Sequence, residues 1–417
     1  MQLVRAELPF IADCGLSNCR LNGLPVISEE EALERILSKV LFLPPTEVFL
    51  ADALDRFAAA DLFATIPLPP FDNSGMDGYA VVAESATRDP RLKIVGEQPA
   101  GVSKNLSLST GEAVRIFTGA PMPKGADTVV MQEETQREGD FVRVRTKQIS
   151  EGDFVRQAGA DLGIGQQIIK RGDRLRPTML ALLASQGIRS VTVGKRAQVA
   201  IVTTGDELVA PGKELHAGQI FESNGVMLAA LVAKADAKLS MRRHCRDNFD
   251  ALCAALRDAT QYDAAIISGG VSVGERDLVR EALQEIRAEI DLWRVAVKPG
   301  KPFLFGKREQ CRIFGLPGNP VSTFVTFLIF VRPILLRMMG AAEIGLPRAR
   351  VRLGHEVSGD ETRPHYFRGE LKDGQFKTVG RQESHALFGL TRANALLRVR
   401  PQEKLVAGTE VEVLLLD

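Results

Sequence analysis

The feature that most constrains this chain is a change of rhythm at Arg196. From there to about Met339, short apolar runs alternate with amphipathic stretches of helix length. Residues 199–203 read as a continuous apolar strand and 226–234 as a helix that Ser223 or Asn224 can cap. A strand at 239–244, a helix at 249–258, a strand at 264–267 and a helix at 278–287 capped by Asp277 follow. Strands at 293–297, 302–305 and 312–314 then precede a long helix at 321–339. Strands and helices alternating at this length predict a parallel sheet wrapped by helices.

The flanks read differently. Residues 1–24 carry no clear period. Ser28 followed by Glu29, Glu30 and Glu31 has the form of a capping box. The helix it opens would present Ala32, Leu33, Ile36, Leu37 and Val40 on one face and stop at Pro44 and Pro45. A further short helix is expected at 54–63. Residues 67–80 form a rigid, turn-rich run into a strand at 79–83. Strands at 113–118, 128–132, 141–146 and 191–193 surround one helix at 177–186, with Pro177 in its first turn. After Gly345-Leu346-Pro347 only short strands recur, to 410–416, which suggests a small all-β domain of about 70 residues.

A length of 417 residues corresponds to roughly two to four domains. Lys and Arg total 53 against 52 Asp and Glu, a net charge of +1, which excludes a broad electrostatic footprint for nucleic acid or an anionic membrane. The five cysteines are scattered without CxxC spacing, so inert thiols are expected rather than a disulfide scaffold or structural zinc. The most apolar stretch, 321–336, is interrupted by Arg332 and Pro333 and reads as too short to span a bilayer. These features predict a cytoplasmic protein with no nucleic-acid or membrane partner.

In an open α/β sheet, ligands sit beyond the carboxyl ends of the strands. Here those positions hold Thr204-Gly205-Asp206-Glu207, Cys245-Arg246-Asp247, Ser268 to Asp277, Lys298 to Pro302, and Gly315 to Pro320. Glycine turns and helix N-termini direct backbone N–H groups at an anion. Lys298 and Lys301 suit phosphate oxygens. Asp206, Glu207, Asp247, Glu275 and Asp277 suit a hard cation such as Mg²⁺, although each acid taken singly is also an ordinary cap or surface charge. Gly270-Val271-Ser272-Val273-Gly274 has the letters of a nucleophile elbow, but its loop is too long for the sharp strand-to-helix turn an elbow needs. Gly300 to Lys307 fails the P-loop spacing, and Gly163-Ile164-Gly165 lacks the third glycine of a dinucleotide fingerprint. A second constellation lies in the first half, in Asp72-Asn73-Ser74-Gly75-Met76-Asp77 and in the strand ending at Thr118. Both fit a structural turn as well as a site.

Taken together, six ordered stretches resemble the MoeA family, the molybdopterin molybdenumtransferases, which also include the E domain of gephyrin. They are PPFDNSGMDGYAV at 69–81, RIFTGAPMPKGADTVVMQEE at 115–134, TGDELVAPG at 204–212, SGGVSVGERD at 268–277, VKPGKPFLFG at 297–306 and FGLPGNPVS at 314–322. The resemblance covers roughly 28–417 and implies a multidomain α/β protein. Its central doubly wound, molybdopterin-binding-like domain would be 197–345. An elongated domain would comprise 25–71 and 159–196, a β-rich domain would be inserted at 72–158, and a small β-barrel-like domain would occupy 346–417. It also implies a homodimer whose active cleft is shared between subunits, and contact with molybdopterin adenylyltransferase and other cofactor-synthesis proteins.

The implied reaction takes adenylylated molybdopterin and molybdate, cleaves the pyrophosphate link with Mg²⁺, releases AMP and inserts molybdenum to form molybdenum cofactor. Carried over residue by residue, the resemblance makes Asp77, Thr118, Glu207, Asp277 and Lys298 catalytic. Glu207, Asp247 and Asp277 become metal ligands. Asp161, Asp247, Gly269, Gly270, Ser272, Gly274, Arg294, Lys301, Pro317, Gly318, Asn319 and Ser384 are assigned to ligand binding. Asp77 and Thr118 would reach in from the partner subunit, and Ser272 would bind an anion without acting as a nucleophile. Arg294 stands where the family commonly has Lys, Phe221-Glu222 where it usually has Tyr-Asp, and Gly75 where it usually has Ala. Two alternatives stand beside this function. One is adenylylation of molybdopterin, because the α/β domain resembles single-domain adenylyltransferases, and the other is a non-catalytic gephyrin-like scaffold. The additional domains and the retained carboxylates favour insertion.

Overall fold

The structure is a computed structural model that describes residues 26–270 and 278–416. The chain divides into two compact units, one of residues 44–194 with 340–342 and the other of the remaining described residues.

The first unit is built around a six-stranded sheet. Its order is Thr128–Met131, Gly78–Val81, Glu112–Ile116, Arg91–Gln98, Phe141–Val144 and Thr135–Glu138. Tyr79, Val81, Leu92, Ala113, Val130 and Val142 fill its core. All six strands come from within one stretch of chain, and the segments on either side of it pair with each other. Pro45–Phe49 runs antiparallel to Ser190–Gly194, and Leu62–Phe63 to Gln167–Ile169. The helix Pro177–Ser185 starts on its proline as expected. The helix expected at 54–63 is absent. Asp55 adopts a left-handed φ of 62°, and Phe57 and Ala58 bridge to Arg174 and Val193. Distant backbone partners claim these residues and override their local helical preference.

In the second unit, Glu29–Leu37 is the expected N-terminal helix, and the Ser28 hydroxyl accepts from the Glu31 N–H at 3.0 Å. The α/β layer comprises β1 (Gln198–Thr204), α1 (Asn224–Lys234), β2 (Lys238–Cys245), α2 (Phe249–Ala259), β3 (Ala264–Ser268), α3 (Leu278–Glu285), β4 (Glu289–Arg294), β5 (Pro302–Arg308), β6 (Cys311–Leu316) and α4 (Pro320–Met338). The sheet order is β2-β1-β3-β6-β5-β4. Its first four strands are parallel, β5 runs antiparallel to β6, and β4 pairs antiparallel with β5 at the edge, so the sheet is mixed rather than wholly parallel. A two-residue turn between Arg308 and Cys311 makes that reversal, since only antiparallel neighbours close over so short a link. β3 and β6 are buried throughout because helices cover both faces, which explains their apolar runs, broken in β6 only by Arg312, whose guanidinium donates to the Lys39 carbonyl. Asn248 caps α2 through the Ala251 N–H. The cap expected from Asp277 lies outside the described residues.

α4 runs for 19 residues with a mean hydropathy of 1.7, so length and composition alone would let it span a bilayer. It is 83% buried inside the fold and is a core helix. Its middle turn, Phe327–Val331, widens to π geometry ahead of Pro333, whose ring lacks an N–H and crowds the preceding turn. Beyond it, β7 (Arg348–Leu353), β8 (His365–Lys372), β9 (Gln375–Thr378), β10 (Ala395–Val399) and β11 (Glu410–Leu415) close into a barrel of order β7-β9-β8-β10-β11. Leu353, Phe376, Leu397 and Val413 fill it. The N-terminal helix is bolted to the barrel by Glu29, which accepts from the Tyr366 hydroxyl and from Arg398 Nε at 3.0 Å.

Candidate active site

The chain order β1, β2, β3 places β2 on one side of β1 and β3 on the other. The crevice at their carboxyl ends is therefore the topological switch point where such sheets bind ligands. A cavity of about 1010 Å³ opens there. Glu207, Asp247, Gly269, Gly270, Lys298, Lys301, Pro317, Gly318, Asn319 and Ser384 all line it. Arg294 is not in its wall. That residue pairs with Pro302 on the far edge strand, three strands from β3. Asp77, Thr118 and Asp161 belong to the other compact unit. Ser272, Gly274 and Asp277 lie outside the described residues.

Each lining group is held by its own loop. Thr204 ends β1, and its hydroxyl donates to Asp247 Oδ1 at 2.7 Å, tying the loops after β1 and β2 together. Gly269 has φ +95°, and a Cβ there would lie 2.4 Å from the Thr204 carbonyl oxygen, so only glycine fits. Asn319 Nδ2 donates to Ser384 Oγ at 2.9 Å, and the Val321 N–H donates to the Ser384 carbonyl at 3.1 Å. The barrel thus supplies part of the cavity wall, which a reading of the α/β loops alone does not reveal. Arg363, Glu222 and Asn224 also line the cavity and were missed as ligand residues.

The two lysines differ. Lys298 Nζ lies 3.0 Å from Asp360 Oδ2 on the barrel side. Burial opposes ionisation of Asp360, but the Thr362 N–H, Lys298 and Arg363 outweigh it and hold the carboxyl well below its usual range. Lys301 is exposed, forms no ion pair among the described residues, and has its charge available to a ligand. His365 sits beside Lys298. Burial and then the Lys298 charge push its pKa down to about 4, so it is neutral near pH 7.

Among the described residues no three His, Cys, Asp or Glu side chains converge on one point. Glu207 and Asp247 nevertheless share the cavity. One or two carboxylates completed by substrate phosphates are what Mg²⁺ commonly uses, so the donor set fits that ion.

In the other unit, Asp72 accepts from the Ala158 N–H at 2.7 Å and the Ser74 hydroxyl donates to the Met76 carbonyl. Those side chains build the turn. Asp77 Oδ1, by contrast, is exposed and accepts from both the Thr118 N–H and its hydroxyl, each at 2.8 Å. The Thr118 N–H, its hydroxyl and then Arg115 lower the Asp77 pKa, and together outweigh the opposing desolvation. Three of the five cysteines, Cys245, Cys253 and Cys311, are buried free thiols, and burial pushes Cys311 up to about 12. Cys14 and Cys19 lie outside the described residues.

Three family models match in order along the chain. They are the MoeA N-terminal region (domain I and II) at residues 27–187, a probable molybdopterin binding domain at 200–337, and the MoeA C-terminal region (domain IV) at 350–416. The chain belongs to the MoeA family. The molybdopterin molybdenumtransferase of Haemophilus influenzae is 33% identical over 395 residues, covering 92% of this chain and 97% of that protein. The molybdopterin molybdenumtransferase of Nostoc sp. is 38% identical over 375 residues, covering 86% of each. A crystal structure of the molybdopterin biosynthesis MoeA protein from Pyrococcus horikoshii OT3 superposes with a TM-score of 0.82 at 28% identity, covering 94% of this chain and all of that one. As in that family, the α/β layer and the closed five-stranded barrel are parts of one multidomain chain.

Proposed function

We propose that this protein inserts molybdenum from molybdate into adenylylated molybdopterin, releasing AMP and forming molybdenum cofactor. One observation carries the reading. The switch-point cavity of a molybdopterin-binding layer combines two carboxylates, Glu207 and Asp247, with the ammonium of Lys301, which pairs with no carboxylate among the described residues, and a glycine-lined wall. A phosphate-bearing substrate needs cations and backbone N–H groups, and a divalent ion needs the carboxylates.

Lys301 holds a substrate phosphate as a point charge, and Lys298, aligned by Asp360, approaches from the same loop. Gly269 and Gly270 let backbone approach the anion where a side chain would block it. Glu207 and Asp247, with Asp277, would hold Mg²⁺, which would supply positive charge for the pyrophosphate oxygens that link the pterin phosphate to AMP. Ser384, fixed by Asn319, offers a hydroxyl to a small oxyanion. The protein acts as a cytoplasmic homodimer of four domains, with boundaries near residues 72, 159, 197 and 346. Asp77 and Thr118 are contributed by the partner copy, and Asp77 stays ionised as an acceptor. Contact with the adenylyltransferase that supplies the substrate would spare it dilution.

The test is direct. Purified protein is mixed with adenylylated molybdopterin, Mg²⁺ and molybdate, and AMP is measured. Molybdate-dependent AMP release is expected. ATP-dependent adenylylation of free molybdopterin, or no turnover at all, would overturn the reading.

A further inference from the structure

Asn224 opens α1 and suggests a helix cap in the sequence, yet no side chain closes a cap bond there. Its amide is used elsewhere. Asn224 Nδ2 donates to the Gly318 carbonyl at 2.7 Å and to Ser268 Oγ at 3.0 Å. Ser268 Oγ in turn donates to the Pro317 carbonyl at 3.3 Å. A side chain from α1 therefore joins the end of β3 to the loop after β6, which are 44 and 94 residues away in sequence. The two loops already touch, since a Cβ on Gly318 would lie 3.8 Å from Gly269 Cα. The Gly318 carbonyl can only accept, so the amide nitrogen must face it. Asn224 Oδ1 is buried with no partner among the described residues, a cost that an apolar residue of similar size would avoid.

We propose that Asn224 is a positioning residue. It locks the Gly269–Gly270 turn and the Pro317–Asn319 loop into one pre-formed wall, so that the backbone groups facing the ligand are aligned before the ligand arrives. Its two donor hydrogens are the essential feature. An aspartate of the same shape would set a carboxylate against the Gly318 carbonyl and push the loops apart. The activity readout below rests on the proposed reaction, whereas the exchange readout does not.

The full chain is compared with Asn224→Ala, Asn224→Asp and Ser268→Ala. In protein without ligand, hydrogen exchange at the Gly269 and Gly318 amides is expected to rise about tenfold or more in both Asn224 variants, with α2 unchanged. With adenylylated molybdopterin and molybdate, kcat is expected to fall about 10- to 100-fold while KM moves less than about threefold. Asn224→Asp should be impaired at least as much as Asn224→Ala. Adding Ser268→Ala to Asn224→Ala should cost less than the two separate losses combined, because both remove one network. Unchanged loop exchange, wild-type turnover in Asn224→Asp, or fully additive losses would each overturn the proposal. A wild-type protein that releases no AMP would overturn the reaction instead, and the loop assignment would then be decided by exchange alone. If Asn224→Ala does not fold, Asn224→Asp and Ser268→Ala carry the same comparison.

Discussion

Asp360 Oδ2 lies 3.0 Å from Lys298 Nζ, so a loop of the barrel holds the charge of a lysine that the α/β loop presents to the cavity. The same carboxylate accepts from the Thr362 and Arg363 N–H groups. Asp360→Asn keeps the shape and removes the charge. Discounting for the partly exposed lysine, it should lower stability by about 1–2 kcal/mol in urea denaturation at pH 7. Because the folded-state pKa is depressed, this contribution is complete above the usual carboxylate range and disappears as the pH falls below about 4. A gap between wild type and variant that grows on acidification would contradict the assignment.

His365 titrates in the opposite chemical sense with the same sign of pH dependence. Burial moves it from 6.5 to about 4. Between those values the unfolded chain binds more protons than the folded one, so stability rises with pH. The contribution, on the order of 3 kcal/mol, is present above pH 6.5 and is lost as the pH falls to about 4. The thermal midpoint of His365→Gln should therefore depend less on pH than that of wild type between pH 4 and 7. Parallel profiles would show that the imidazole is not held neutral.

Glu207→Gln and Asp247→Asn should each lower AMP release about 100-fold or more, with partial relief at high Mg²⁺ if the carboxylates hold the ion. Lys301→Met should instead raise KM about tenfold, and the wild-type advantage should shrink with salt, because an exposed charge is screened. Activity retained in both carboxylate variants would remove them from the site.

Asp77→Asn and Asp277→Asn are expected to be inactive separately. Mixed and refolded together, they should form some heterodimers with one intact cleft and recover part of the molybdate-dependent AMP release. No recovery, with heterodimers demonstrated, would count against a cleft built from two chains.

Gly269→Ala forces a Cβ to 2.4 Å from the Thr204 carbonyl at a φ of +95°. Stability should fall by at least about 2 kcal/mol, measurable by denaturant midpoint, and ligand affinity should fall with it. A variant as stable as wild type would mean that the turn is free to move.

The alternation of apolar strands with amphipathic helices, read from residues 196 to 339, already determined the layered sheet, because burial on both faces demands unbroken apolar runs. That Gly269, Gly270, Glu207, Asp247, Lys298 and Lys301 share one cavity was legible for a related reason, since strand ends in such sheets converge in space, whereas Asp206 does not line it. The ordered motifs also made the family evident. Other features depended on partners far away in the chain. The stretch at 54–63 satisfies its backbone groups with residues 167–174 and 193, so local helical preference misled. The reversal of β5 against β6 followed from a tight link, and Arg294 was carried to the edge strand, outside the cavity lining. That Lys298 is paired while Lys301 has no ion pair among the described residues, and that Asn224 staples two loops, was decided only by tertiary structure. Hydrogen bonds between residues 44 to 94 positions apart leave no periodic trace in a sequence, and only the folded chain sets their distances.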